Sequence, residues 1–389
     1  MNDRIVAYLD KHLDDYVADL RHLSGIDSGT DDKEGVDAVQ DWFQERLHQL
    51  GFTVERRPQE RWGDDLVARS HGEGQARILL LGHADTVYPR GTAATRPVTE
   101  RGDKLIGSGT CDMKAGLLTG LYALRALDHA GWRDYGTITY LVVSDEEIEE
   151  RHSVDLLQTE GPRHHAVITL EAARENGDIV SARKATRWYA VEATGKAAHA
   201  GVEPEKGSSA TLALAHVIVE TFKLNGMKEG MTVNPGRIEG GANPNIVADR
   251  ARGIFDLRAW SGANLAELSQ AFERVVATPW VPGVELRAIP LGSGTPAMER
   301  TPGTIRLEEH AIRIADSLGF PLRGARTGGG SDVSYACHAR TPGLDGLGPI
   351  GGLDHGPDEY ILRSSIVPRT ALLAKLMQAI AADTELIDG

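Results

Sequence analysis

Cysteine is nearly missing: the chain holds two, Cys111 and Cys337. That number builds no disulfide framework, and no CxxC pair exists to hold zinc through thiolates. A single disulfide between the two stays open. Long apolar runs are missing as well. No stretch approaches the roughly 18 apolar residues of a membrane span, and the N-terminal segment has no apolar h-region. The chain therefore reads as cytoplasmic. Positive charge is scarce: 42 Lys and Arg stand against 56 Asp and Glu, for a formal net charge of −14. Such a chain is a poor partner for nucleic acid or an anionic membrane. A solvated acidic surface accounts for the excess, unless part of it is gathered as metal ligands. There is no internal repeat and no low-complexity segment. The glycine-rich stretch TGGGSD at 327–332 is not followed by GK[ST], so it is not a P-loop.

What is present has the texture of a globular enzyme. With 389 residues the chain is too long for one simple core and points to about two domains. Ile5, Leu9, Leu13, Tyr16, Val17, Leu20 and Leu23 recur at helical spacing, predicting a surface helix over 3–23. Val36, Val39, Trp42, Phe43, Leu47 and Leu50 predict a second helix, stopped by Gly51. ARILLLG at 76–82, TITYLVV at 137–143 and HAVITL at 165–170 read as strands buried on both faces, with a helix at 113–131 between the first two. Strands alternating with helices give an α/β sheet. From about 185 the order becomes βαββαβ, the ferredoxin-like unit, and after 300 helices near 303–318 and 366–382 follow. The expected organisation is an α/β domain over 1–182 and 294–389, interrupted by an inserted α+β domain over 183–293.

Histidine and acidic residues follow the strand-like runs, where sites gather in open α/β sheets. His83 and Asp85 follow ARILLLG within GHADTV. At i and i+2 of an extended backbone they share a face, so one can bind a metal while the other steadies the imidazole. A strand-end histidine beside a capping Asp is the plainer reading. Asp112, in GSGTCDMKAG, is placed to bridge two cations or simply to cap a helix. Asp145, Glu146 and Glu147 are three successive acids after TITYLVV, costly together without a cation. One Glu could ligate while its neighbour serves as general base. A solvated acidic loop is the alternative, and Glu149 and Glu150 nearby favour it. Glu171 directly follows HAVITL, and His355 sits in GGLDHGPDEY. Nitrogen and carboxylate donors of this kind suit Zn²⁺, with Co²⁺ or Mn²⁺ as alternatives.

Taken in order, these five segments resemble the zinc peptidase family of glutamate carboxypeptidase, aminoacylase, acetylornithine deacetylase and succinyl-diaminopimelate desuccinylase. HADTVYPRG, Pro97 and GDKLIGSGTCDMKAG are most similar to glutamate carboxypeptidase. The resemblance spans almost the whole chain. It implies a central mixed sheet with helices on both faces and an inserted lid and dimerisation domain. It implies two Zn²⁺ per subunit: His83, Asp112 and Glu171 on one, His355, Asp112 and Glu147 on the other, with Asp112 bridging. Asp85 would clamp His83, and Glu146 would be the general base. Two cations with these three carboxylates leave a net positive charge, which lowers the pKa of a shared water. A cis peptide between Asp112 and Met113 is implied too. Position 171 is Asp in some aminopeptidases and glutamate carboxypeptidases and Glu in the deacylases. After DEE the sequence IEERHSVDLL departs from relatives, which usually have Gly and Ser there.

In the inserted domain the resemblance gives His199, in GKAAHAGVEP, an oxyanion-stabilising role, often in a partner subunit's site. It links Asn245 in NPNIV and Arg258 in FDLRAW to the substrate carboxylate, with Arg183 and Lys184 as weaker candidates. It also lines the pocket with the glycine-rich loop around Gly329. The expected protein is a homodimeric metallopeptidase closing about hinges near 180–186 and 290–298. Its expected substrate is a small peptide or N-acyl amino acid ending in Glu or a similar residue. An N-acyl-amino-acid deacylase or a dipeptidase would share every metal residue. An inactive metal-binding dimer is the rival of another class.

Overall fold

The computed structural model describes residues 3–148, 151–337 and 341–388. Glu149 and Glu150 lie outside the described residues. By its internal contacts the chain divides into two compact units. The first comprises Met1–Ser181, Arg300–Arg326 and Ser331–Gly389, the second Ala182–Glu299 with Thr327–Gly330.

In the first unit, the opening apolar stripe forms two helices instead of one, Arg4–Lys11 and Leu13–Ser24. His12 between them leaves helical geometry (φ −107°, ψ 16°). The break lets both apolar faces, Ile5 with Leu9 and Tyr16 with Leu20 and Leu23, stay in one core. Asp32 caps the next helix, Lys33–Gln49, by accepting the Gly35 N–H, and Gly51 turns the chain away at φ 78°.

The main sheet has six strands in the order Thr53–Arg57, Asp65–His71, Thr137–Val143, Arg77–His83, Ala166–Thr169 and Gly343–Leu344. The first two pairings are antiparallel and the other three parallel, so the sheet is mixed. Leu79, Leu80 and Leu81 are all fully buried, so both faces of the central strand are covered. The helices Ala115–His129 and Ile366–Ala381 carry mostly buried residues and share that core. Three parallel strands end side by side at His83, Val143 and Thr169, and the loops leaving those ends carry the acids picked out above.

The second unit is a four-stranded antiparallel sheet ordered Thr232–Gly240, Arg250–Ala259, Ala185–Thr194 and Glu285–Thr295. The helices Ala210–Phe222 and Gly262–Val276 pack on it around Leu214, Val217, Phe255, Leu268 and Phe272. Chain order and strand order together are those of a ferredoxin-like unit. The last strand runs to Thr295, so this unit ends at Glu299 instead of near 293, and it takes in Thr327–Gly330. Among the described residues no helix is long and apolar enough to cross a membrane.

Candidate metal centre

His83 is the last residue of the central strand, and strand geometry fixes its direction. Asp112 sits in the turn Thr110–Lys114, between Gly109 at φ 66° and the helix Ala115–His129. The Asp112–Met113 peptide is cis. Glu146 and Glu147 follow the strand Thr137–Val143, and Glu171 follows Ala166–Thr169. His355 comes from far along the chain, on a turn where it and Leu353 take positive φ (64° and 60°). Non-glycine residues adopt that conformation at a cost, and it is common where a side chain must be aimed.

These side chains converge on Asp112. His83 Nε2 lies 3.0 Å from its Oδ1, and His355 Nε2 lies 3.1 Å from its Oδ2. Glu171 Oε1 is 3.6 Å from His83 Nε2, and Glu147 Oε2 is 3.3 Å from His355 Nε2. One donor atom each from His83, Asp112 and Glu147 fall within 4.8 Å of one another. Asp85, fully buried, stands behind His83: its backbone oxygen is 3.0 Å and its Oδ1 3.2 Å from Nδ1. The same carboxylate accepts the backbone N–H groups of Glu146 and Glu147, each at 3.2 Å, and the Thr30 hydroxyl at 2.7 Å. Asp85 thus ties the imidazole to the acidic loop.

The electrostatics call for cations. Burial first, then Asp112 and Glu146, push the Glu147 carboxyl up to about 8. Burial, with Asp112 and Asp85 adding to it, pushes Glu146 up to about 7 despite His83 and Arg151. Burial and Asp112 raise Glu171 well above the carboxylate range. Asp112 is held low: burial opposes its charge, but His355 and His83 outweigh it. Glu147 Oε1 is buried and has no hydrogen-bond partner. An orphaned carboxylate oxygen, crowded acids and two imidazoles make a donor set that fits divalent cations.

The remaining expected residues lie on the second unit. His199 is exposed, its loop held beside Asn245 by the Ala200 N–H donating to the Asn245 carbonyl at 2.9 Å. The Arg258 guanidinium meets Asp256 Oδ2 through Nε (2.9 Å) and Nη2 (2.7 Å), and Nη1 donates to the Gly328 carbonyl at 2.6 Å. Arg258 is therefore already engaged in an ion pair within its own strand. The Gly329 carbonyl accepts from Arg183 Nη1 at 3.0 Å.

Sequence reading missed Glu359. Its buried carboxylate accepts the backbone N–H groups of Cys111 (2.7 Å), Asp112 (3.0 Å) and Gly109 (3.0 Å). The Tyr88 hydroxyl donates to it at 2.5 Å. The only sequence signal was an acid four residues after His355, indistinguishable there from a surface turn. His152, between Asp65 and Asp145, was missed as well.

The fold and the donor set define a metal-dependent hydrolase of peptide or amide bonds. The chain belongs to the peptidase family M20/M25/M40, whose model matches residues 79–379. It is 31% identical over 368 residues to carboxypeptidase G2 of Pseudomonas sp., covering 93% of this chain and 88% of that one. It is 28% identical over 393 residues to the acetylornithine deacetylase of Aliivibrio fischeri, covering 91% and 94%. Among solved structures, the aminopeptidase PepT of Bacillus cereus superposes with a TM-score of 0.80 at 23% identity, over 95% of this chain and 99% of the other, a likeness of fold.

Proposed function

We propose that this protein is a carboxypeptidase that hydrolyses the amide bond to a C-terminal glutamate-like residue in small peptides or N-acyl amino acids. The observation that carries the reading is Asp112, met on its two oxygens by His83 and His355. His83, Asp112 and Glu171 would hold one Zn²⁺, and His355, Asp112 and Glu147 the other, with Co²⁺ or Mn²⁺ as substitutes. When bound, the ions supply Lewis acidity to the scissile carbonyl and to a water. Glu146 takes the water's proton and returns it to the leaving amine. Asp85 fixes the His83 ring and the backbone under Glu146. His199 is assigned to the oxyanion, and Arg258, Asn245 and the Gly329 loop to the substrate carboxylate. For Arg258 this requires exchanging Asp256 for the substrate.

Similarity to carboxypeptidase G2 over 93% of the chain supports a carboxypeptidase. Glu171 favours the second reading, an N-acyl-amino-acid deacylase, in keeping with the acetylornithine deacetylase relative. A dipeptidase would use the same metal residues. A panel of N-acyl glutamates against N-acetyl amino acids separates the readings: preference for varied acyl groups on glutamate supports the first, preference for one acyl group on varied amino acids the second. Glu146→Gln should lower kcat by about 10²–10⁴-fold with zinc content unchanged. Undiminished turnover in that variant would remove Glu146 from the mechanism.

A homodimer through the second unit fits its surface. Leu212, Val219 and Phe222 on the helix Ala210–Phe222 are 50, 57 and 60% exposed, and Ile238 on the edge strand Thr232–Gly240 is 55% exposed. An apolar stripe beside an open edge strand is a surface that association would cover. The two free thiols agree with a cytoplasmic setting.

A further inference from the structure

Behind the metal centre, two buried carboxylates face one histidine. Asp65 opens the strand Asp65–His71, and Asp145 follows the strand Thr137–Val143 paired with it. Their side chains are 2% and 0% exposed. The His152 ring lies between them, Nε2 3.2 Å from Asp65 Oδ2 and Nδ1 2.9 Å from Asp145 Oδ2. Asp145 also accepts the backbone N–H groups of His152 (2.5 Å) and Ser153 (3.0 Å) and the Ser153 hydroxyl. Asp145 is thereby tied to His152 and Ser153. Glu146 and Glu147 directly follow Asp145, with their N–H groups on Asp85.

Two desolvated carboxylates need a compensating cation. Among the described residues the other charge near them is Arg151, whose Nε is 4.0 Å from Asp145 Oδ1. Its guanidinium is committed to Asp332 and stands 3.9 Å from Glu146 Oε1. The donor spacing also suits a metal ion. The distances argue otherwise: each ring nitrogen lies within ion-pair distance of a different carboxylate, which suits a doubly protonated imidazolium, whereas a metal takes one nitrogen lone pair.

We propose that His152 is a positioning residue: as an imidazolium bridging Asp65 and Asp145, it fixes Asp145 and so the backbone that presents Glu146 and Glu147 to the metal centre. The proposal rests on Glu146 as the base. The histidine's own energetics agree with it. Burial disfavours its charge, but Asp145 and Asp65 outweigh burial and push its pKa up to about 9.

The test compares zinc-loaded wild type, His152→Gln, and the double variant Asp65→Asn with His152→Gln. His152→Gln strands two buried carboxylates and should lose about tenfold or more in kcat, with KM within about threefold. The double variant removes one stranded charge and should recover kcat to within about threefold of wild type. Loss of packing alone would not be rescued in this way. NMR of wild type, free of any folding problem in a variant, should show the His152 ring still protonated at pH 8. Wild-type kcat in His152→Gln, a double variant no better than the single, or a ring neutral at pH 7 would each overturn the proposal. A third divalent ion per chain that disappears in His152→Gln would do so too. Activity in Glu146→Gln would instead unseat the base reading while leaving the NMR result intact.

Discussion

Glu359 holds the backbone of Asp112. Its Oε1 accepts the Asp112 N–H at 3.0 Å and the neighbouring Cys111 N–H at 2.7 Å, while Oε2 takes the Gly109 N–H. The turn that aims the central carboxylate is thus fixed from the loop that carries His355.

Glu359→Ala would leave three buried N–H groups without acceptors, at about 1–3 kcal/mol each. It should weaken zinc retention by tenfold or more and lower the melting temperature. Tyr88→Phe removes one donor to Glu359 and should have a smaller effect of the same sign. Competition with a chromophoric chelator reads both. Zinc affinity unchanged in Glu359→Ala would mean that the turn is held by other contacts.

Asp112→Asn should cost both metal ions together, because each imidazole meets a different oxygen of that one side chain. Elemental analysis after dialysis should fall from about two ions per chain to fewer than one. Retention of one full equivalent would show that the two sites load independently.

Protonated His152 should make stability depend on alkaline pH. Its folded-state pKa of about 9 lies above the ordinary 6.5, because Asp145 and Asp65 overcome burial. A raised pKa contributes stability that is complete below about 6.5 and is lost as pH climbs through 9. Denaturant melts should therefore lose on the order of 1–2 kcal/mol between pH 6.5 and 9.5 in wild type, and less in His152→Gln. Parallel curves for the two proteins would contradict this.

Phe222→Glu should give a monomer by analytical ultracentrifugation if the exposed stripe Leu212, Val219 and Phe222 is the dimer face. A charge there stays solvated in the monomer but is buried without a partner in the dimer. An unchanged sedimentation coefficient would locate association elsewhere or nowhere.

The strands TITYLVV and ARILLLG were legible because burial on both faces leaves a continuous apolar run, and the structure returns Thr137–Val143 and Arg77–His83. The βαββαβ order of the second unit was legible through its alternating periods. The single helix expected over 3–23 was not, because a kink at His12 preserves the apolar period on both sides and leaves no mark in the pattern.

Sequence alone decided which side chains can ligate. Strand ends are written locally, and each brings its own His, Asp or Glu into the loop that follows. Tertiary structure alone decided that His83 and His355 meet on Asp112, that Glu359 grips the same turn, and that His152 lies between Asp65 and Asp145. Apart from the Asp145–His152 contact, those relations join residues far apart in the chain. They depend on which strands lie side by side and on where a loop of positive φ points its side chain, and neither is encoded in any local stretch.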